Sequence, residues 1–135
     1  MAQTATCGLS HVALSVPNIQ ATRDFFEALG FHELPELECH MPNHSLMLTD
    51  GTAVITLWQI QGKAEQFDRR HNIGLHHISV RVRSLDDLYA LYNKALMVKG
   101  VHDEFAPAPL AGTNLVRAML YEPCGIRVEL TYHKE

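Results

Sequence analysis

The sequence predicts an α+β fold of two tandem β-α-β-β-β modules that form a curved, open mixed-sheet barrel. The segment at residues 9–16, LSHVALSV, is nearly repeated at residues 74–82, GLHHISVRV. Each copy precedes a stretch with apolar residues at helical spacing that ends at a glycine, Gly30 or Gly100. Three further strand-like segments follow in each half. Such a duplication determines fold class more firmly than local propensity does.

The chain is predicted to be one domain over residues 1–135, with a module at 9–60, a connector at 61–73 and a module at 74–133. A length of 135 residues suits one compact unit. The connector is polar and carries charged residues without apolar periodicity.

The amino-acid composition limits the kinds of molecule that the chain is expected to bind. The net charge is −4 and 47% of residues are hydrophobic, which excludes the basic footprint of a nucleic-acid-binding protein. No apolar run approaches the ~20 residues that a membrane helix needs. Three cysteines form no CxxC pair, which indicates reduced thiols and a cytoplasmic protein. We therefore expect a small-molecule partner and neither nucleic acid nor membrane.

In the first module, Pro17 ends the first strand and Asn18 is an N-cap candidate for a helix over residues 19–29. Asp50-Gly51 is a hairpin-turn signal. The remaining strands are predicted at residues 31–37, 44–49 and 52–60.

In the second module, Ser84 is expected to begin the helix, with Asp86 and Asp87 in its first turn. Pro107 and Pro109 are expected to lie in a loop. Strands are predicted at residues 75–82, 102–105, 114–121 and 126–132.

Strand alternation sorts the polar residues onto one face of each module. In the first strands, His11 and His77 occupy matching positions of the repeat. In the last strand, Arg127, Glu129 and Thr131 share a face. A glutamate between Val128 and Leu130 is costly to bury without a charged partner.

A divalent cation held by His11, His77 and Glu129 would satisfy all three side chains. Two imidazoles and one carboxylate suit zinc, manganese, nickel, cobalt or iron(II). Three protein ligands leave positions open for water or substrate, which is typical of a catalytic site. His76 competes with His77 as the second ligand, and the repeat alignment favours His77.

The paired modules, the strand starts HVALSV and HISVRV, and the segment YEPCGIRVEL resemble the vicinal oxygen chelate superfamily. This superfamily includes glyoxalase I, extradiol dioxygenases and bleomycin-resistance proteins. The resemblance implies the glyoxalase/bleomycin resistance/dioxygenase fold, one metal ion per site on His11, His77 and Glu129, and a homodimer. Thr56 stands at the fourth ligand position of the family.

The resemblance leaves the chemistry open. Glyoxalase I usually has a glutamate where Thr56 stands, and a hydroxyl cannot serve as a carboxylate general base. The dioxygenase signature has a tyrosine ten residues before the glutamate, where this chain has Met119. Tyr121 and Arg117 share the strand face of Met119, so we treat Tyr121 and Glu129 as candidate catalytic residues. Candidate substrate contacts are Thr56, Trp58, Met119 and Arg117.

Three functions are consistent with these residues. The first is a metal-dependent lyase or isomerase acting on a small substrate with neighbouring oxygens, with the metal as Lewis acid. The second is an iron(II) ring-cleaving dioxygenase of the extradiol type. The third is a metal-free binding protein similar to bleomycin-resistance proteins, which the apparent ligand set disfavours.

Overall fold

The computed structural model describes residues 4–34 and 44–135, which form two four-stranded sheets, each packed against one helix. The first half contains β1 (Val12–Val16), α1 (Ile19–Ala28), β2 (His32–Glu33), β3 (Ser45–Thr49) and β4 (Val54–Gln59). The second half contains β5 (Ile78–Val82), α2 (Leu85–Leu96), β6 (His102–Pro109), β7 (Leu115–Tyr121) and β8 (Arg127–His133). This repeated order confirms the predicted α+β fold.

The two sheets have the same topology. Their strand orders are β1-β4-β3-β2 and β5-β8-β7-β6. In each sheet the first and last strands of the module pair in parallel, and the other neighbours pair antiparallel. Both sheets are open, with β1 and β5 as edge strands. In register, Ser79 lies opposite Glu129, as Ala13 lies opposite Thr56.

The predicted caps determine where both helices begin and where α1 ends. The Asn18 side chain accepts a hydrogen bond from the Ala21 amide at 3.1 Å. In the second half, Ser84 Oγ accepts one from the Asp87 amide at 3.0 Å. Gly30 has φ +98°, the left-handed conformation that glycine adopts without penalty after a helix.

Several strand boundaries differ from the sequence prediction. Strands β1 and β5 begin later than expected, so His11 and His77 lie immediately before them. Strand β6 continues through Pro107 to Pro109, where a loop was predicted, so that prediction was wrong. Because β6 is an edge strand with two register shifts against β7, it can accept residues that lack an amide hydrogen. Part of the predicted strand at 31–37 lies outside the described residues.

The core lies between each helix and its own sheet. Phe25 and Phe26 of α1 are fully buried, and Phe26 packs edge-on against Phe31 with ring centroids 5.4 Å apart. In the second half, Leu88 of α2 is fully buried.

The halves meet where α1 approaches the β7–β8 turn. The Thr22 hydroxyl donates to Glu122 Oε2 at 2.8 Å, and both residues are fully buried. No helix in the described part of the chain is long and apolar enough to span a bilayer.

Candidate functional site

The two predicted histidine ligands line one cavity. His11 precedes β1, His77 precedes β5, and both border a cavity of about 930 Å³. Ser79 and Arg81 of β5 line the same cavity, together with apolar residues of both halves. Equivalent positions of the repeat therefore bring two imidazoles to a common space.

Glu129 lies one strand away from this cavity and is hydrogen-bonded through both carboxylate oxygens. Arg117 Nη1 of β7 donates to Oε2 at 2.9 Å. The hydroxyls of Ser79 and Thr131 donate to Oε1 at 2.8 and 2.7 Å. The Glu129 side chain is only 10% exposed. Its negative charge is thus compensated by protein groups, as a part-buried carboxylate requires.

Opposing effects set the pKa of Glu129. Burial acts to raise it, but the hydrogen bonds from Thr131, Arg117 and Ser79 outweigh burial and lower the pKa below its ordinary value. The carboxylate is therefore ionised at neutral pH.

The remaining predicted site residues lie on the polar faces of the two sheets. Trp58 Nε1 donates to Thr56 Oγ1 at 3.1 Å, so these residues share a face of β4 as expected. Thr56 is buried and Trp58 is 45% exposed. Met119 pairs in register with Glu129 and is fully buried. The Tyr121 hydroxyl accepts a hydrogen bond from Arg69 Nη1 at 3.1 Å.

His76 faces a different cavity from His77. The two Nδ1 atoms are 2.7 Å apart, yet His76 borders the second cavity of the molecule, next to Arg127. Burial lowers the pKa of His76, and the electrostatic effects of the neighbouring His77 and Arg127 lower it further.

The predicted metal ligands do not form a three-ligand cluster within one chain. Across residues 4–34 and 44–135, no group of three or more His, Cys, Asp or Glu side chains is arranged to hold an ion. His11 and His77 share a cavity, whereas Glu129 is bonded to Arg117 and two hydroxyls. The link between them is Ser79, which lines the cavity and donates to Glu129.

A family model for the glyoxalase/bleomycin resistance protein/dioxygenase superfamily matches residues 8–130. The chain belongs to this superfamily. A search of curated proteins finds no match to the sequence. Membership agrees with the repeated modules and with the pairing of β1 with β4 and of β5 with β8.

Solved structures of superfamily members share the fold. A glyoxalase family protein from Enterococcus faecalis is 25% identical, with a TM-score of 0.69 over 92% of this chain and 96% of that one. A glyoxalase/bleomycin resistance protein/dioxygenase domain from Frankia sp. EAN1pec is 20% identical, with a TM-score of 0.74 over 96% and 100%. A glyoxalase/dioxygenase from Nostoc punctiforme is 18% identical, with a TM-score of 0.70 over the whole of both chains.

Several side chains that contact the predicted site residues were assigned no role from the sequence. Thr131 was placed on the same face as Glu129, but the hydrogen bonds that Thr131 and Ser79 donate to Glu129 were not expected. Parallel pairing of the first and last strands would have put Ser79 beside Glu129. Arg69 belongs to the polar connector, to which no site residue was assigned, yet it reaches Tyr121 in the second module.

Proposed function

We propose that this chain is a divalent-metal-dependent enzyme of the lyase or isomerase type that acts on a small substrate with neighbouring oxygen atoms. The observation that carries the proposal is the pair His11 and His77, which line one cavity from matching positions of the repeat. Superfamily membership supports the same class of chemistry.

The donor types fit a divalent ion, and we propose His11, His77 and Glu129 as its ligands. Imidazole and carboxylate donors suit zinc, manganese, nickel, cobalt or iron(II). When bound, such an ion would polarise substrate oxygens as a Lewis acid. Glu129 Oε1 already accepts two hydrogen bonds, so the ion would take the remaining lone pair of Oε2, and repulsion between like charges would move the Arg117 guanidinium away from it.

The protein groups around this carboxylate have roles of their own in the proposal. Arg117 compensates the charge of Glu129 and is released to contact an anionic part of the substrate. Trp58 offers an exposed aromatic surface on the polar face of the first sheet, with Thr56 holding its indole N–H. On the same face of β7, Met119 lies opposite Glu129 and Tyr121 lies opposite Arg127. Tyr121 is the proposed proton donor.

We also propose that two copies of the chain associate in the cytoplasm. Strands β1 and β5 are sheet edges and present unpaired backbone groups that another strand can cover. Leu9, three residues before β1, is 87% exposed.

Metal analysis of protein purified without chelator tests the proposal. We expect about one zinc, manganese, nickel, cobalt or iron ion per chain, measured by plasma mass spectrometry. His11→Ala, His77→Ala and Glu129→Gln should each lose metal while keeping the circular-dichroism spectrum. His32→Ala is the matched control, because His32 is exposed on β2 and lines neither of the two cavities. Full metal retention in all three ligand variants would refute the assignment.

A metal-free small-molecule-binding protein is the second candidate. The Arg117–Glu129 ion pair favours it, because an internal cation already compensates the carboxylate. Metal content near zero after growth in metal-supplemented medium, with the fold intact, would select this candidate. Oxygen uptake with catechols by the iron(II)-loaded protein would instead indicate the dioxygenase alternative.

A further inference from the structure

Another cavity, the one that His76 borders, lies between the connector and the polar face of the second sheet. It has a volume of about 910 Å³, and Leu75 is the residue that its lining shares with the cavity of His11 and His77. The connector contributes Phe67 and Arg69, and the second sheet contributes Tyr121 and Arg127. A space of this size accommodates a small organic molecule.

Two guanidinium groups reach this cavity, but they are not equally neutralised. Arg127 makes a bidentate pair with Glu104, with Nε and Nη2 at 2.8 and 2.7 Å from the carboxylate oxygens. Arg69 donates to the Tyr121 hydroxyl at 3.1 Å and has no carboxylate within ion-pair distance in the described part of the chain. Because Arg69 is only partly exposed, its charge is less well solvated than that of a surface arginine.

The hydrogen bonds fix the direction of the Arg69 guanidinium. The Tyr121 hydroxyl accepts from Arg69, whereas the Glu104 carboxylate accepts from Arg127, so the two guanidinium groups have different hydrogen-bond partners. The Arg127 hydrogen bonds are the main reason that the pKa of Glu104 falls to about 2. Glu104 therefore stays ionised and stays paired with Arg127, and it acts on Arg69 as a more distant charge rather than as a direct partner.

The rest of the lining combines an apolar wall with a polar rim. Phe67, Leu75 and Ile126 supply apolar surface. A side-chain carbon at Gly74 would lie 2.7 Å from the Phe67 ring, so the ring rests directly against the backbone there. Glu65, the acidic residue in the lining, is exposed and makes no ion pair with Arg69.

We infer that this cavity binds a small organic anion, with its carboxylate or phosphate group against Arg69 and its apolar body against Phe67 and Leu75. Guanidinium groups bind carboxylates and phosphates through charge-assisted, often bidentate hydrogen bonds. The inference goes beyond the proposed metal chemistry, with which the cavity shares Tyr121, and it does not require a bound metal. It assigns a ligand-binding role to a connector arginine.

Calorimetric titration of EDTA-treated protein tests the inference with three probes: benzoate, the neutral isostere benzamide, and inorganic phosphate. Benzoate should bind at least about tenfold more tightly than benzamide, because only benzoate forms a charge-assisted bond. Benzoate binding with no phosphate binding would identify an organic carboxylate as the ligand. Binding of both would identify the anionic group as the main determinant.

Arg69→Gln should remove the preference for benzoate, and Arg69→Lys should keep part of it. Arg70→Gln is the matched control, because Arg70 is the next residue along the chain, is exposed and does not line the cavity. His11→Ala should bind benzoate as the unaltered protein does, which separates this site from the proposed metal site. Equal affinity for benzoate and benzamide, or equal loss of binding in Arg69→Gln and Arg70→Gln, would overturn the inference.

Discussion

Arg117 and Glu129 form an ion pair across the antiparallel strands β7 and β8, with Nη1 and Oε2 2.9 Å apart. The Glu129 side chain is 10% exposed, and the Arg117 guanidinium also lies over the Phe105 ring, 5.2 Å from its centroid. The pair links the two central strands of the second sheet on its polar face. Its strength determines how readily Glu129 can exchange its partner for another cation.

Removing this arginine should destabilise the fold measurably. Arg117→Gln should lower the free energy of unfolding by about 1–3 kcal/mol at neutral pH, because a part-buried carboxylate loses a charge-assisted hydrogen bond. Urea unfolding measures the change. Arg23→Gln is the control: Arg23 is 29% exposed, close to the 30% of Arg117, but its carboxylate partners are all more exposed than Glu129. It should cost less than about 1 kcal/mol.

The effect of Arg117→Gln should also depend on pH. The folded-state pKa of Glu129 is lowered from the ordinary value of 4.5. Its stabilising contribution is therefore present above pH 4.5 and is lost as pH falls through the lower folded-state pKa. The stability curves of the variant and the unaltered protein should converge in acid. Curves that remain parallel down to the acid limit would show that the ion pair does not stabilise the fold.

The fold was largely predictable because the sequence contains the same module twice. The repeated strand starts, Asn18 and Ser84 as caps, and the glycines after each helix all indicated one module order, which the structure confirms. The error at Pro107 and Pro109 has a physical cause. Proline excludes a segment from a central strand, but sequence alone did not reveal that β6 is an edge strand.

The site was less predictable because strand parity determines a face but not a partner. Alternation correctly grouped Glu129 with Thr131, and the repeat correctly favoured a shared space for His11 and His77. The choice of Arg117 as the cation nearest Glu129 depends on the β7–β8 register, which a single sequence does not supply. Whether a metal replaces that arginine stays a prediction.

The buried carboxyl of Glu122 should make stability fall as pH rises. Burial raises its pKa above 4.5, against hydrogen bonds from Ile126, Thr22 and Cys124. A raised folded-state pKa favours folding below pH 4.5, and this contribution is lost as pH rises through the folded-state value. Glu122→Gln keeps an acceptor for the Cys124 and Ile126 amides. Its stability relative to the unaltered protein should therefore increase from pH 5 to pH 8 in thermal unfolding.

A companion variant separates charge from hydrogen bonding at the same position. Glu122→Leu leaves the two backbone amides without an acceptor and should cost about 1–3 kcal/mol for each buried donor. If Glu122→Gln and Glu122→Leu lose equal stability at every pH, the raised pKa is not the controlling factor.

Two glycines at matching repeat positions should respond differently to alanine. Gly30 has φ +98° and no atoms near the position of an added carbon, so Gly30→Ala should cost about 1 kcal/mol from backbone conformation alone. Gly100 has φ +89°, and an added carbon would lie 3.2 Å from Pro123 Cβ. Gly100→Ala should therefore cost more in urea unfolding. The reverse order would show that Pro123 moves away freely.

Helix α2 tests whether apolar residues at helical spacing are all part of the core. Leu85 and Leu88 lie about one turn apart on α2, but Leu88 is fully buried and Leu85 is 42% exposed. Leu88→Ala should lower the free energy of unfolding by about 2–5 kcal/mol, because it removes buried methyl groups and leaves a cavity beneath the helix. Leu85→Ala should change it by about 0.5 kcal/mol or less, as expected for a largely exposed position. Equal losses in urea unfolding would mean that Leu85 is covered in solution, which the proposed second copy of the chain could do.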